Sequence, residues 1–153
     1  NVDGEQQLLR LLQAIAEGTC GLPVVFPVHP RTAKNLRDLD SKTPQLNYVD
    51  PLGYLEFNYL VKHAKGVITD SGGITEETTV LGVPCLTLRD NTERPETITI
   101  GTNELIGTDP SKLSPALARL MAGQWKKGAI PPKWDGKAAE RVVEHLERVL
   151  GRS

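Results

Sequence analysis

The stretch that decides the fold runs from Gly66 to Glu77 and reads GVITDSGGITEE. It opens with a short apolar segment typical of a buried strand and passes through a tight Ser-Gly-Gly loop. A helix is expected over residues 74–81, and Gly82 ends it. A strand that leads directly into a helix is the repeating unit of α/β domains. The loop between them lies at the carboxyl end of the strand, which is where such folds bind ligands.

The same alternation extends along the chain in both directions. Short apolar runs predict further strands, and segments with helical spacing lie between them. We expect strands at 24–28, 46–49, 84–88 and 103–106, and helices at 8–18, 32–39, 54–64, 113–121 and 137–150. Short apolar strands separated by helices predict an α/β fold, a Rossmann-like parallel sheet with helices on both faces.

The size and charge of the chain limit the classes of protein to which it can belong. Its 153 residues suit a single α/β domain, and a net charge of -1 provides no electrostatic basis for binding nucleic acid or an anionic membrane. No apolar run approaches the roughly 18 residues of a membrane span, and no leader is evident. The chain starts at Asn1 without Met, so we expect it to be one domain of a longer protein.

The residues that could carry metal or redox chemistry are few. Cys20 and Cys85 have no partner motif, so both are expected to be reduced, small buried side chains in a cytoplasmic protein. A disulfide between them is the alternative. No group of histidines, cysteines or carboxylates has the spacing of metal ligands, so we predict no metal site.

The loop at residues 69–77 has the features of a phosphate site. Its two glycines let a ligand approach the backbone, and the helix N-terminus behind them offers free N–H groups and a partial positive charge. Ser71 adds a hydroxyl. Glu76 and Glu77 point about 100° apart on a helix, so only one is expected to face a ligand, where its carboxylate can accept from ribose hydroxyls. The ordinary alternative is an N-capped helix with acidic residues near its start.

A second candidate loop, residues 88–96, also follows a predicted strand and is dense in charge. Pro95 suits the first position of a helix, and the planar guanidinium of Arg94 just before it can grip phosphate oxygens. Spacing alone slightly favours the alternative, a surface ion pair of Arg94 with Glu93 or Glu96.

Motifs spread over the chain together resemble one enzyme family. They are PVHPRT at 27–32, DPLGYLEF at 50–57, the 69–77 loop, residues 86–96 and WDGKAAER at 134–141. In this order and spacing they resemble the non-hydrolysing UDP-N-acetylglucosamine 2-epimerases, which have the two-domain glycosyltransferase-B fold. The resemblance runs from Asn1 to about Leu150. It implies that residues 1–153 form a single UDP-binding C-terminal domain and that the N-terminal catalytic partner domain is absent.

The resemblance also implies an activity. Family members are isomerases that convert UDP-N-acetylglucosamine to UDP-N-acetylmannosamine by eliminating UDP and adding it back, without a cofactor or a metal. The implied partners are UDP, a UDP-N-acetylhexosamine and the missing domain, with a homodimer in the full-length form. The implied setting is cytoplasmic synthesis of cell-envelope polysaccharide.

Specific positions acquire roles through the resemblance. They are Phe57 beside the uracil, Glu77 at the ribose hydroxyls, Ser71, Gly72 and Gly73 at the diphosphate, Arg94 toward the diphosphate and the sugar, and His29 near a regulatory second substrate site. For Arg94 the role implied by the resemblance is preferred to the surface ion pair with Glu93 or Glu96.

The chain departs from the family in two places. Thr75 stands where the family usually has Gln, so a ligand contact is expected to be lost. The family's His-Arg pair lies just before the segment matching Asn1, so we expect this chain alone to hold UDP without turnover. Two other functions fit the fold, the donor-binding half of a glycosyltransferase and a non-catalytic nucleotide-sugar sensor. The sequence of residues 91–96 beside the Ser-Gly-Gly loop argues against the glycosyltransferase.

Overall fold

The computed structural model describes residues 2–28 and 46–151. Helices and short strands alternate over both ranges. The helices are α1 Val2–Gly18, α2 Tyr54–His63, α3 Gly72–Leu81, α4 Pro95–Thr99, α5 Pro110–Met121 and α6 Ala138–Val149. The strands are β1 Val24–Pro27, β2 Leu46–Val49, β3 Val67–Thr69, β4 Cys85–Thr87 and β5 Asn103–Leu105. Each strand predicted from the sequence is present, with bounds within one residue of those expected, whereas the helix expected at 32–39 lies outside the described residues.

The paired strands of the described ranges are all parallel, which confirms the α/β prediction. β1 pairs with β2, and β3, β4 and β5 form a second sheet in that order, so the hydrogen bonds divide the strands into two sheets rather than one. In the second sheet Thr69 lies opposite Thr87, and Thr87 lies opposite Leu105. The carboxyl ends of these three strands therefore meet at one edge, and the loops that follow them lie side by side.

Helices cover both faces of the second sheet. On one face Leu86 joins the main hydrophobic core with residues of α1 and α5. Side chains alternate along a strand, so Cys85 and Thr87 point to the opposite face. There the Cys85 sulfur lies 4.0 Å from the hydroxyl oxygen of Thr87, and α3 packs against β4. The core joins elements of both sheets and comprises Leu12, Ile15, Val28, Leu46, Leu86, Ile106, Leu113, Ala116, Leu117 and Leu120.

The start of α3 differs from the prediction. The helix begins at Gly72, two residues earlier than the sequence pattern indicated, with Ser71 as its N-cap. Glycine is a poor helix former, so the Ser-Gly-Gly segment had the signature of a loop. The helix ends at Gly82 as predicted, in the left-handed conformation (φ 71°) that favours glycine.

The two cysteines have different environments. Cys85 is buried, and this burial raises the pKa of its thiol. Cys20 is exposed in the turn that follows α1, so the prediction that both side chains are buried is wrong for Cys20. The backbone at Cys20 is in the left-handed region, with a φ of 51°. Both thiols are free.

Two further structural findings apply to the described ranges. No group of three or more histidines, cysteines and carboxylates there is arranged to hold a metal ion. No helix in those ranges has the length and apolar character needed to cross a membrane.

Candidate functional site

The first turn of α3 forms an open surface at the carboxyl end of β3. The Ser71 side chain makes no capping bond to the helix, so its hydroxyl and the first N–H groups of α3 remain available. A Cβ atom built on Gly73 would meet no atom within 4 Å, and one built on Gly72 would meet only Nη1 of Arg89, at 3.8 Å. The glycines therefore keep clear the space over a helix N-terminus, which is the arrangement that favours a bound phosphate.

Thr75 lies on the inner side of this turn. Its side chain is fully buried, and its hydroxyl donates a hydrogen bond of 2.6 Å to the carbonyl oxygen of Gly72. The hydroxyl therefore anchors the glycine turn from inside the fold. It does not extend toward the open surface, where the longer Gln expected from the resemblance would be needed to reach a ligand.

The two adjacent glutamates differ in what they contact. Glu76 and Glu77 both line a cavity of about 490 Å³ that lies beside α2 and α3. The other residues that line it are Tyr54, Asn58, Val80, Leu81 and Trp134. Glu76 is bound to Arg94, whereas the carboxylate of Glu77 forms no hydrogen bond or ion pair with any residue in the described ranges. The carboxylate of Glu77 is therefore the one open to a ligand.

Arg94 connects the second loop to the first. It occupies the N-cap position of α4, with Pro95 at the first helical position as predicted. Its Nε donates to Oε1 of Glu76 at 2.5 Å, and this hydrogen bond with the charge of the carboxylate raises the pKa of Arg94. The ion-pair alternative considered for Arg94 named Glu93 or Glu96 as the partner. The observed partner is Glu76, which belongs to the segment 69–77. The side chains of Arg94 and Glu76 are 45% and 40% exposed, which leaves the pair accessible to a ligand.

A buried polar chain holds the main chain of Arg94 in place. Thr87 at the end of β4 donates to Oδ1 of Asn103 at 2.6 Å, and Nδ2 of Asn103 donates to the Thr97 hydroxyl at 3.3 Å. The Thr97 hydroxyl then donates to the carbonyl oxygen of Arg94 at 2.8 Å. Asn103 and Thr97 are fully buried. Sequence reasoning missed this network, for which the only signal was a polar residue opening an apolar strand.

Arg89 was also missed by the sequence reasoning. It follows β4 by two residues, and its guanidinium is the group closest to the open side of Gly72. The available signal was its place at the carboxyl end of a parallel strand, within the same charged loop as Arg94.

The remaining predicted positions are not brought into this arrangement. Phe57 lies on α2 and is half-buried, but it is not among the described residues that line the cavity beside Glu77. His29 lies outside the described residues.

Comparison with known proteins agrees with this architecture. The family model for UDP-N-acetylglucosamine 2-epimerase matches residues 1–147. The chain belongs to this family. It is 39% identical to the UDP-N-acetylglucosamine 2-epimerase of Methanocaldococcus jannaschii over 95% of this chain and 41% of that protein. It is 34% identical to the UDP-2,3-diacetamido-2,3-dideoxy-D-glucuronate 2-epimerase of Pseudomonas aeruginosa, over 97% of this chain and 42% of that protein.

The fold is shared with a solved member of the family. The crystal structure of the Methanocaldococcus jannaschii enzyme in complex with UDP-GlcNAc and UDP superposes with a TM-score of 0.76 at 39% identity, covering 97% of this chain and 42% of that chain. The chain thus spans about two fifths of the length of the relatives that it matches.

Proposed function

We propose that the protein containing this chain interconverts UDP-N-acetylglucosamine and UDP-N-acetylmannosamine, and that residues 1–153 are its UDP-binding domain. Membership of the 2-epimerase family and the likeness to a relative solved with UDP-GlcNAc and UDP support this proposal. The extent of that relative beyond the matched two fifths supports a second domain that completes the active site.

The observation that carries the proposal is the open helix N-terminus at Gly72 and Gly73. Nothing described fills the space over Gly73, and the hydroxyl of Ser71 and the first N–H groups of α3 are not used within the helix. A diphosphate placed there accepts hydrogen bonds from these groups and lies in the favourable field of the helix dipole. Such a site stabilises the negative charge that develops when UDP leaves the sugar.

The nucleoside and sugar contacts follow from the neighbouring residues. We assign the ribose hydroxyls to Glu77, because its carboxylate has no partner among the described residues. Phe57 is assigned to the uracil from the family pattern. Arg94 is assigned to the diphosphate and the sugar, because it reaches the same turn of α3 from the neighbouring loop.

The reaction requires groups from this chain and from the rest of the protein. Loss of the C2 proton and departure of UDP from C1 leave a C1–C2 double bond. Addition of a proton to the opposite face of C2, together with return of UDP to C1, gives the epimer. The residues of this chain hold UDP through both steps, and the rest of the protein supplies the acid and base groups.

We further propose that the protein is a cytoplasmic homodimer that supplies a sugar for cell-envelope polysaccharide, with His29 near a regulatory substrate site. Two free cysteines fit a reducing compartment. Size measurement by light scattering tests the dimer. Replacement of His29 by Ala tests the regulatory site, and an unchanged dependence of rate on substrate concentration would contradict that assignment.

The proposed function is tested on the full-length protein in two steps. Calorimetry with UDP checks binding, and NMR of UDP-N-acetylglucosamine in deuterated water follows epimerisation and exchange at C2. The 2,3-diacetamido uronate nucleotide serves as the competing substrate. Binding of UDP without exchange for either sugar would favour a sensor, and preferential turnover of the uronate would correct the sugar.

A further inference from the structure

Arg89 lies beside the turn assigned to the diphosphate. Its Nη1 is 3.8 Å from the position that a Cβ atom on Gly72 would occupy, and its side chain is half-buried. The backbone fixes this placement, because the N–H of Leu88 donates to the carbonyl oxygen of Thr69 at 2.8 Å. This bond extends the pairing of β3 and β4 to the residue just before Arg89. The guanidinium therefore leaves the sheet on the side of the Ser-Gly-Gly turn.

The charge of Arg89 is not balanced within the described part of the protein. Arg89 forms no hydrogen bond or ion pair with any residue of these ranges. The adjacent Asp90 lies elsewhere, with Oδ1 2.8 Å from the position of a Cβ atom on Gly107, near the start of α5. Arg94, in contrast, already has the carboxylate of Glu76 as its partner.

Arg89 is half-buried as a residue, and a guanidinium without a partner in the protein can bind an anion through its planar set of N–H donors. An arginine beside an open helix N-terminus adds a full positive charge to the partial charge of the helix dipole. Phosphate oxygens match the fork of N–H donors that a guanidinium presents.

We propose that Arg89 binds the diphosphate of the nucleotide directly, as a second cation beside Arg94. This inference rests on the proposed function, since it names a further binding residue of the same site. Arg89 supplies the uncompensated positive charge that attracts the ligand, and Arg94 also contacts the diphosphate while retaining its bond to Glu76.

The test compares Arg89→Gln with a control, Arg10→Gln, in the full-length protein. Arg10 is an exposed arginine on α1, a helix that packs against α5. UDP and UMP are titrated by calorimetry at two salt concentrations, and thermal melting checks folding. We expect Arg89→Gln to weaken UDP binding about tenfold or more, to weaken UMP binding less, and to flatten the salt dependence. The Arg10 variant should behave as the wild type.

Arg89→Lys provides a second variant that keeps the charge and the aliphatic stem. Its affinity for UDP should fall between those of the wild type and Arg89→Gln. If the wild type binds UDP and Arg89→Gln binds it equally well, the inference fails and the proposed function stands. If Arg89→Gln weakens the binding of UDP and UMP equally, the inference also fails. It fails as well if both Arg89 variants have lower melting temperatures and the loss of UDP affinity follows that destabilisation. Failure of the wild type to bind UDP overturns the proposed function together with the inference.

Discussion

Arg94 and Glu76, which are 18 positions apart in the chain, are joined by a hydrogen bond of 2.5 Å between Nε and Oε1. The bond links the loop after β4 to the first turns of α3, and it uses one of the five N–H groups of the guanidinium. Nη1 also donates to the carbonyl oxygen of Glu93 at 3.3 Å. The remaining N–H groups are free to meet a phosphate, so Arg94 can bind the diphosphate without leaving Glu76.

The two glutamates of α3 should differ in their effect on UDP binding. Glu77→Gln is expected to weaken UDP binding about tenfold or more, because a charge-assisted bond to the ribose is lost. Glu76→Gln should change affinity by less than about threefold, because an exposed ion pair contributes little. Calorimetric titration of both variants with UDP checks this. A larger effect at Glu76 would show that the ion pair, rather than the ribose contact, controls the site.

Arg94→Lys should be poorly tolerated even though the charge is kept. An ammonium group cannot reproduce the planar arrangement that contacts Glu76 and a phosphate together, so we expect UDP affinity to fall about fivefold or more. Isothermal titration is the measurement, and Arg119→Lys is the matched control, because Arg119 forms a comparable ion pair with Glu104 at 2.6 Å. Full retention of UDP affinity in Arg94→Lys would show that Arg94 forms only a structural ion pair and does not bind the diphosphate.

The site should select uracil over purines. UDP is expected to bind more tightly than ADP or GDP, because Phe57 and the neighbouring backbone are assigned to the smaller base. Competition titrations with the three diphosphates measure this selectivity. Equal affinities would remove the basis for a uracil site, although the diphosphate contacts could still be present. Phe57→Ala should then reduce the preference for UDP, and an unchanged preference would place the uracil elsewhere.

The buried network behind Arg94 should contribute to stability. Asn103→Leu removes the acceptor of the Thr87 hydroxyl and a donor to Thr97, and each unsatisfied buried group costs about 1–3 kcal/mol. We therefore expect a clearly lower melting temperature. Thr99→Val is the control, because its hydroxyl bond to the carbonyl oxygen of Pro95 is exposed. Comparable melting temperatures for the two variants would show that the network contributes nothing measurable.

The polypeptide of residues 1–153, studied by itself, should not exchange the C2 proton of UDP-N-acetylglucosamine. Two carboxylates line the cavity beside α2 and α3, namely Glu76, which is paired with Arg94, and Glu77, which is assigned to the ribose. Neither is left to act as the base, and general acid–base groups contribute about 10²–10⁴-fold each to such reactions. NMR in deuterated water measures the exchange. Deuterium appearing at C2 at an enzyme-like rate would place the base within these residues.

The sequence by itself determined the order of the strands and of most helices in the described ranges, the parallel α/β class and the family. These features follow from local patterns, namely short apolar strands, helical spacing and motifs such as the one from Thr69 to Glu77. Gly82 ended its helix where predicted, because a left-handed residue after a helix favours glycine wherever it occurs. The sequence pattern could not predict that α3 begins at Gly72, because two glycines have low helix propensity. The turn is held by a tertiary feature, the hydrogen bond from the buried Thr75 hydroxyl to the carbonyl oxygen of Gly72.

The contacts between separate loops were decided by the tertiary structure. Arg94 binds Glu76 because the parallel register of β3 and β4 brings the loops after them together at one edge. The same register places Arg89 beside Gly72, and the pairing of β4 with β5 lets Thr87 reach Asn103. The sequence pattern indicated which side chains follow each strand. It could not indicate which of them pair, because that choice depends on strand register and side-chain conformation across residues distant in the chain.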